Sequence, residues 1–206
     1  MVEATQPRLS IMFVRHGEIS RPAGIYLDEK DVHLTEMGQC QAKSVATRIK
    51  EFRPEVAAIS PVPRCVESAR FALASVACPL VYDDRLKERS FPPLYGLYFS
   101  EIAARFGSEM ESHLRNQGEL VSLPGVETIA AAQTRVLEAV RELAAKYRRA
   151  VVISHGGPYS WLCCYALGLD LSELRRFSLA YGCHSFFDLQ QDQLTLLQNH
   201  SGCVPS

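Results

Sequence analysis

Four short apolar stretches, Leu9–Val14, Glu55–Ser60, Pro79–Tyr82 and Ala150–Ser154, are separated by segments with helical periodicity. Each stretch has the length of a buried strand. Thr35, in a Leu-Thr-Glu setting suited to an N-cap, predicts a helix running to about Phe52, and another spans roughly Arg64 to Val76. In Thr128–Arg148 the apolar residues Ile129, Val136, Val140, Leu143 and Tyr147 recur at helical spacing, which predicts one face packed on a sheet. Two late strands, Ser185–Leu189 and Leu194–Gln198, follow. Strand and helix thus alternate, which predicts an α/β sandwich around a mostly parallel sheet. With 206 residues and no repeat or Pro/Gly/Ser-rich linker, residues 1–206 are read as a single domain.

In such folds ligands bind beyond the carboxyl ends of the strands. Here the first strand ends in Arg15-His16-Gly17, the second leads through Pro61-Val62-Pro63 to Arg64, and the fourth ends in His155-Gly156-Gly157. If these ends are neighbours, two imidazoles, two guanidiniums and glycine-supported backbone amides converge. Two arginines repel a cation, and two histidines without nearby carboxylates make a poor metal sphere. The same set suits a phosphate dianion, because guanidinium offers planar paired donors and glycine lets N–H groups approach. No metal and no cofactor are expected.

His16 is the candidate nucleophile toward phosphorus, with Arg15 and Arg64 disfavouring its protonation. Arg15, Arg64 and a protonated His155 are expected to meet charge on the phosphoryl oxygens. Gly17, Glu18 and Gly156 are expected to line the phosphate-binding site. Glu88, in Asp84-Arg85-Leu86-Lys87-Glu88-Arg89, is the candidate donor of a proton to the leaving alkoxide and later the base that activates water.

Composition narrows the partners. Lys and Arg number 22 against 23 Asp and Glu, a formal net charge of -1, so no basic field awaits nucleic acid or an anionic membrane. No apolar run approaches the ~20 residues of a membrane span. Residues 1–8 have no signal-like apolar stretch, and the seven cysteines are scattered without a Cys-x-x-Cys pair. They read as small reduced side chains of the core, and the expected compartment is the cytoplasm.

Arg15-His16-Gly17-Glu18 resembles the signature of the histidine phosphatase superfamily, also called the phosphoglycerate mutase-like family. The resemblance extends over most of the chain. Leu34-Thr35-Glu36-Met37-Gly38-Gln39-Cys40-Gln41-Ala42 is similar to its Leu-Thr-x-x-Gly-x-x-Gln-Ala helix start, and Ser60-Pro61-Val62-Pro63-Arg64 with Ser68-Ala69 to its second arginine motif. Leu86-x-Glu88 with Gly96 resembles the general-acid segment, Pro124-Gly125-Val126-Glu127-Thr128 a Pro-Gly-x-Glu-Ser turn, and Ser154-His155-Gly156-Gly157 the second histidine motif. The resemblance implies a phosphoglycerate mutase-like three-layer α/β sandwich without a required metal. It implies a phosphohistidine on His16, phosphate contacts from Arg15, Arg64 and His155, and Glu88 as proton donor.

The chain departs from that pattern at Ile19 and Pro22, where many members carry Thr and Asn, and at Pro92-Pro93, where glycine is usual and proline stiffens the loop. Pro158 fits the first turn of a helix. The mutase branch resembles this chain less, because the compact stretch Gly96–Leu123 offers only Arg105 and Arg115 toward a paired-arginine clamp. The expected function is therefore hydrolysis of a small phosphorylated metabolite, with a phosphoprotein as another substrate class. Mutase-type transfer and a catalytically silent phospho-ligand module are the alternatives. Residues 101–117, with His113, are read as a helix and partial lid. Trp161 is read as core, His184 as structural, and His33 and His200 as exposed. The oligomeric state stays open, with a homodimer as one option.

Overall fold

The computed structural model describes residues 8–20, 24–26, 28–108, 110 and 123–199. Six strands form one sheet: β1 (Arg8–Arg15), β2 (Val56–Ile59), β3 (Leu80–Tyr82), β4 (Arg149–Ser154), β5 (His184–Gln190) and β6 (Gln193–Asn199). Their order is β3-β2-β4-β1-β5-β6. The pairs β2/β3, β2/β4 and β1/β4 are parallel, whereas β5 runs antiparallel to both β1 and β6. The sheet is mixed: β5 alone is reversed, and the strands carrying the candidate site all point the same way.

Both faces of the central strands are covered, which is why they read as unbroken apolar runs rather than alternating ones. Leu9, Ile11 and Phe13 of β1, with Val56, Ala58, Ala150 and Val152, face α5 (Ile129–Lys146) and α6 (Gly156–Ala166). The alternate residues Met12, Val14, Ala57, Ile59, Val151 and Ile153 pack against Ile49 of α2 (Ala46–Phe52) and Cys65, Ala69 and Ala72 of α3 (Pro63–Ala72). Three layers result. Trp161 is fully buried in the first cluster, as its apolar setting predicts.

Several helix boundaries depart from the sequence reading. The helix expected over Thr35–Phe52 is two, α1 (Glu36–Ser44) and α2, parted at Val45. Ser44 Oγ donates to the Gln41 carbonyl at 2.8 Å, a side-chain bond that competes with the helical ladder. Helix α3 stops at Ala72, and the Val76 N–H turns back to the Leu73 carbonyl. The helix expected across residues 101–117 begins earlier, as α4 (Phe99–Phe106), and ends at Gly107, whose φ of 94° lies where side chains are disfavoured. His113, Arg115 and the lid reading attached to them lie outside the described residues, as do Pro22, His200 and Cys203. Cys65, Cys163, Cys164 and Cys183 are buried, whereas Cys40 is exposed on α1, contrary to the core reading, because its position faces away from the sheet. Among the described residues no helix is long and apolar enough to cross a membrane.

Candidate active site

The register of three parallel strands decides what meets. Arg15 is paired with Ser154 at the end of β1 and β4, and Ile59 with Ile153, so Arg15-His16, Ser60 and His155 emerge at one edge. The His16 N–H donates to the Ser154 carbonyl and the Ser60 N–H to the Ile153 carbonyl, which locks these ends together. The rings of His16 and His155 lie 5.2 Å apart, centre to centre, and both are almost wholly buried.

His16 Nδ1 lies 2.7 Å from the Gly17 carbonyl oxygen. A carbonyl only accepts, so Nδ1 carries the proton and the neutral ring keeps its lone pair on Nε2. His155 Nε2 is 2.8 Å from Ser60 Oγ, and Cys65 Sγ lies 3.5 Å from the same nitrogen. Burial, then Arg64, His16, Arg15 and Arg135, drive the His155 pKa well below its ordinary value. These surroundings disfavour the protonated form, which the sequence reading expects beside a phosphoryl group.

Arg64 is buried at the second position of α3, placed by Pro63 at the first. Arg15 donates through Nη1 to the Leu179 carbonyl at 2.6 Å and stacks its guanidinium 4.1 Å over the Tyr181 ring. Its buried Nε has no hydrogen-bond partner among the described residues. Gly156 gives Arg15 room: a Cβ there would sit 3.3 Å from the guanidinium carbon.

Gly17 and Glu18, expected to line the phosphate-binding site, make several bonds within the protein. The Gly17 N–H donates to Ser68 Oγ at 3.0 Å and the Glu18 N–H to Gln41 Oε1 at 2.8 Å, so both amides are committed inside the protein. The Glu18 carboxylate accepts the Thr35 hydroxyl, and Thr35 also caps α1 by accepting from the Gly38 N–H. A Cβ on Gly17 would lie 2.1 Å from the Gly38 carbonyl oxygen, and one on Gly38 would lie 2.1 Å from that of Glu18. Thr35, Gly38 and Gln41, three apart on one helix face, thus brace the loop that carries His16. Ile19, standing where the family often has Thr, bridges to Leu34.

Glu88 comes from another direction. Its Oε2 accepts the Gly157 N–H at 3.0 Å, in the first turn of α6 and two residues beyond His155. A Cβ on Gly157 would fall 2.0 Å from Glu88 Oε1. The two glycines after His155 therefore divide the work, one admitting Arg15 and the other Glu88. Pro158 occupies the same first turn, where its missing N–H costs nothing. Pro92 and Pro93 open a 3-10 turn closed by the Leu94 N–H on the Phe91 carbonyl.

Arg15, His16, Arg64 and His155 gather at this sheet edge, and Glu88 reaches it through the Gly157 N–H. Sequence reasoning missed Tyr181, whose ring is 5.4 Å from that of His16. Gly182 holds it there, with φ of 67° and its N–H on the His16 carbonyl. The sequence reading quoted Ser60 and Ser68 only as motif residues, without a role, and missed Arg135. Arg135 carried a signal, being an arginine one turn from Ala132 and Ala139 on the buried face of α5.

Residues 11–200 match the family model described as the histidine phosphatase superfamily (branch 1). The chain is similar to a metal-independent phosphoserine phosphatase of Arabidopsis thaliana, 32% identical over 152 residues, which cover 71% of this chain and 64% of that protein's length. It is also similar to a probable phosphoglycerate mutase GpmB of Shigella boydii, 27% identical over 191 residues that cover 89% and 86% of the two chains. Among solved structures, YhfR of Bacillus stearothermophilus shares the fold at a TM-score of 0.80 and 19% identity, over 91% of this chain and 95% of that one.

Proposed function

The chain belongs to the histidine phosphatase superfamily, and from that premise we propose that it is a metal-independent phosphomonoester hydrolase whose nucleophile is His16. The observation that supports the reading is His16 Nδ1 on the Gly17 carbonyl, which leaves the nucleophilic lone pair on Nε2, with the His155 ring 5.2 Å away, centre to centre. In the proposed reaction Nε2 attacks phosphorus and the bond from phosphorus to the ester oxygen breaks. Glu88 passes its proton to the departing alkoxide. Water then attacks the phosphohistidine, the Glu88 carboxylate takes a proton from it, and the P–N bond breaks to return His16 and inorganic phosphate.

Arg15, Arg64 and His155 bind the phosphoryl oxygens throughout and stabilise charge in the transition state. His155, neutral beforehand, takes up a proton as the dianion arrives, so binding and protonation are linked. Gly156 contributes by letting Arg15 approach, while Gly17 and Glu18 support His16 rather than touch phosphate.

Small alcohol phosphates are the proposed substrates, with O-phosphoserine first because the Arabidopsis relative carries that activity in its name. A single domain and a cytoplasmic address, on the cysteine pattern, belong to the same proposal. The test is phosphate release from an aryl phosphate and from O-phosphoserine with EDTA present. Release that disappears in His16→Ala supports the reading; binding without turnover makes the protein a ligand module. The mutase relative motivates a second assay, 3-phosphoglycerate with a bisphosphorylated primer, in which isomer formation outrunning free phosphate overturns the choice of hydrolysis.

A further inference from the structure

The segment that carries Glu88 is not held by a sheet or a long helix. After a single 3-10 turn, Asp84–Leu86, its backbone runs past α5 with carbonyl groups that no ladder satisfies. Side chains do so instead. Arg135 Nη1 donates to the carbonyls of Arg85 at 2.5 Å and Lys87 at 2.7 Å, and Nη2 to that of Glu88 at 3.3 Å. The remaining carbonyl, of Leu86, accepts from Ser154 Oγ at 2.7 Å. Arg135 is itself fixed by a two-pronged pair with Glu127, Nε to Oε1 at 2.8 Å and Nη2 to Oε2 at 2.9 Å, and lies 5.5 Å over the Trp161 ring. Glu88 is then gripped at both ends, its carbonyl by Arg135 and its carboxylate by the Gly157 N–H.

We propose that Arg135, oriented by Glu127, is a positioning residue for proton transfer: its guanidinium fixes the backbone of residues 85–88 so that the Glu88 carboxyl stands at the leaving oxygen. The inference rests on Glu88 as the proton donor. Only a guanidinium suits the task, because it sends several N–H groups in one plane to separate acceptors, whereas an ammonium is a point donor. A donor displaced by about 1 Å loses on the order of 100-fold in rate. In forming the phosphohistidine, that loss falls on esters whose leaving group needs a proton and spares those that leave as stable anions; in the water step, where Glu88 acts as base, it falls on both alike. Binding of the phosphoryl group, made by Arg15, Arg64 and His155, is untouched, so the effect belongs to the rate of phosphoenzyme formation at saturating ester rather than to ester binding.

The test compares Arg135→Lys, Glu127→Gln and Glu88→Gln on an alkyl phosphate and on a nitrophenyl phosphate, with the rate of phosphoenzyme formation per active site read by rapid quench at saturating ester. Arg135→Lys should lower that rate for the alkyl ester by about 100-fold, at least ten times more than for the nitrophenyl ester, with the half-saturating ester concentration little changed. Glu127→Gln should repeat the pattern more weakly, and it carries the test should Arg135→Lys fold poorly. Adding Arg135→Lys to Glu88→Gln should cost little further, since the donor it positions is already gone. Equal loss on both esters per active site, or full additivity with Glu88→Gln, overturns the positioning role. If Glu88→Gln itself shows no preference between the esters, the donor assignment fails and the inference falls with it. If Glu88→Gln shows the preference and Arg135→Lys does not, Arg135 alone is ruled out.

Discussion

The two sides of the proposed site, one for the phosphoryl group and one for the leaving group, are built by different means. On the phosphate side, Arg15-His16, Ser60 and His155 sit directly on the ends of β1, β2 and β4, and neighbouring strands hold them through backbone bonds such as His16 N–H to Ser154 carbonyl. On the leaving-group side, Glu88 sits on a segment whose carbonyls are held by the side chains of Arg135 and Ser154. Strand register is a cooperative property of the whole sheet and tolerates single substitutions. A backbone pinned by one guanidinium does not. The backbone of the phosphate side is thus held by the sheet, and that of the leaving-group side by two side chains.

Substitutions can break this contrast, and the largest effect belongs to the phosphate side. Arg64→Ala should cut turnover on every ester by ~10³- to 10⁵-fold, the range seen when an arginine that meets phosphoryl charge is lost, with steady-state kinetics as the check. A loss confined to poor leaving groups would contradict its assignment. Next, the two glycines after His155 should separate the sides. Gly157→Ala drives a methyl into the Glu88 carboxylate and should cost about 100-fold on alkyl esters. Gly156→Ala, whose Cβ would rest 3.3 Å from the Arg15 guanidinium carbon, should act on all esters alike and more mildly.

A smaller effect is expected where the His16 loop meets α1. Gly38→Ala forces a Cβ against the Glu18 backbone and should destabilise the fold by roughly 1–3 kcal/mol, as overpacking does. Thermal melting reads this directly, and an unchanged melting temperature would mean the close approach is not maintained. The smallest effect is graded with pH. His155 has a lowered pKa in the folded protein, so the unfolded chain binds its proton first as pH falls. Stability is full above ~6.5, the unperturbed histidine value, and declines below it toward the lowered folded value. The slope from this group is at most about 1.4 kcal/mol per pH unit. Inorganic phosphate, by favouring protonated His155, should flatten the decline; melting curves from pH 7 to pH 5 with and without phosphate test it.

The same contrast explains what was legible in the sequence. Strand ends were visible because burial on both faces writes a continuous apolar run, and the first polar residue after it marks the sheet edge. His16 and His155 lie one residue past such an edge, at Arg15 and Ser154, whereas Arg64 comes four residues beyond Ser60. Glu88 was visible through its resemblance motif, but not the meeting of its carboxylate with the Gly157 N–H, which is made only across the fold. The lowered pKa of His155, set first by burial and then by Arg64, and the commitment of the Gly17 and Glu18 amides to Ser68 and Gln41 depend on groups far away in the chain. The break at Val45 hangs on one serine hydroxyl. Local pattern carries information about what a residue is; which partner claims its donors is a tertiary matter.

The account stands on Nε2 of His16 forming a bond to phosphorus, and rapid quench with a phosphorus-32-labelled ester addresses it directly. The account predicts a labelled protein that survives alkali, loses its label in acid and is absent from His16→Ala. A label that withstands acid, or one that persists in His16→Ala, would contradict it.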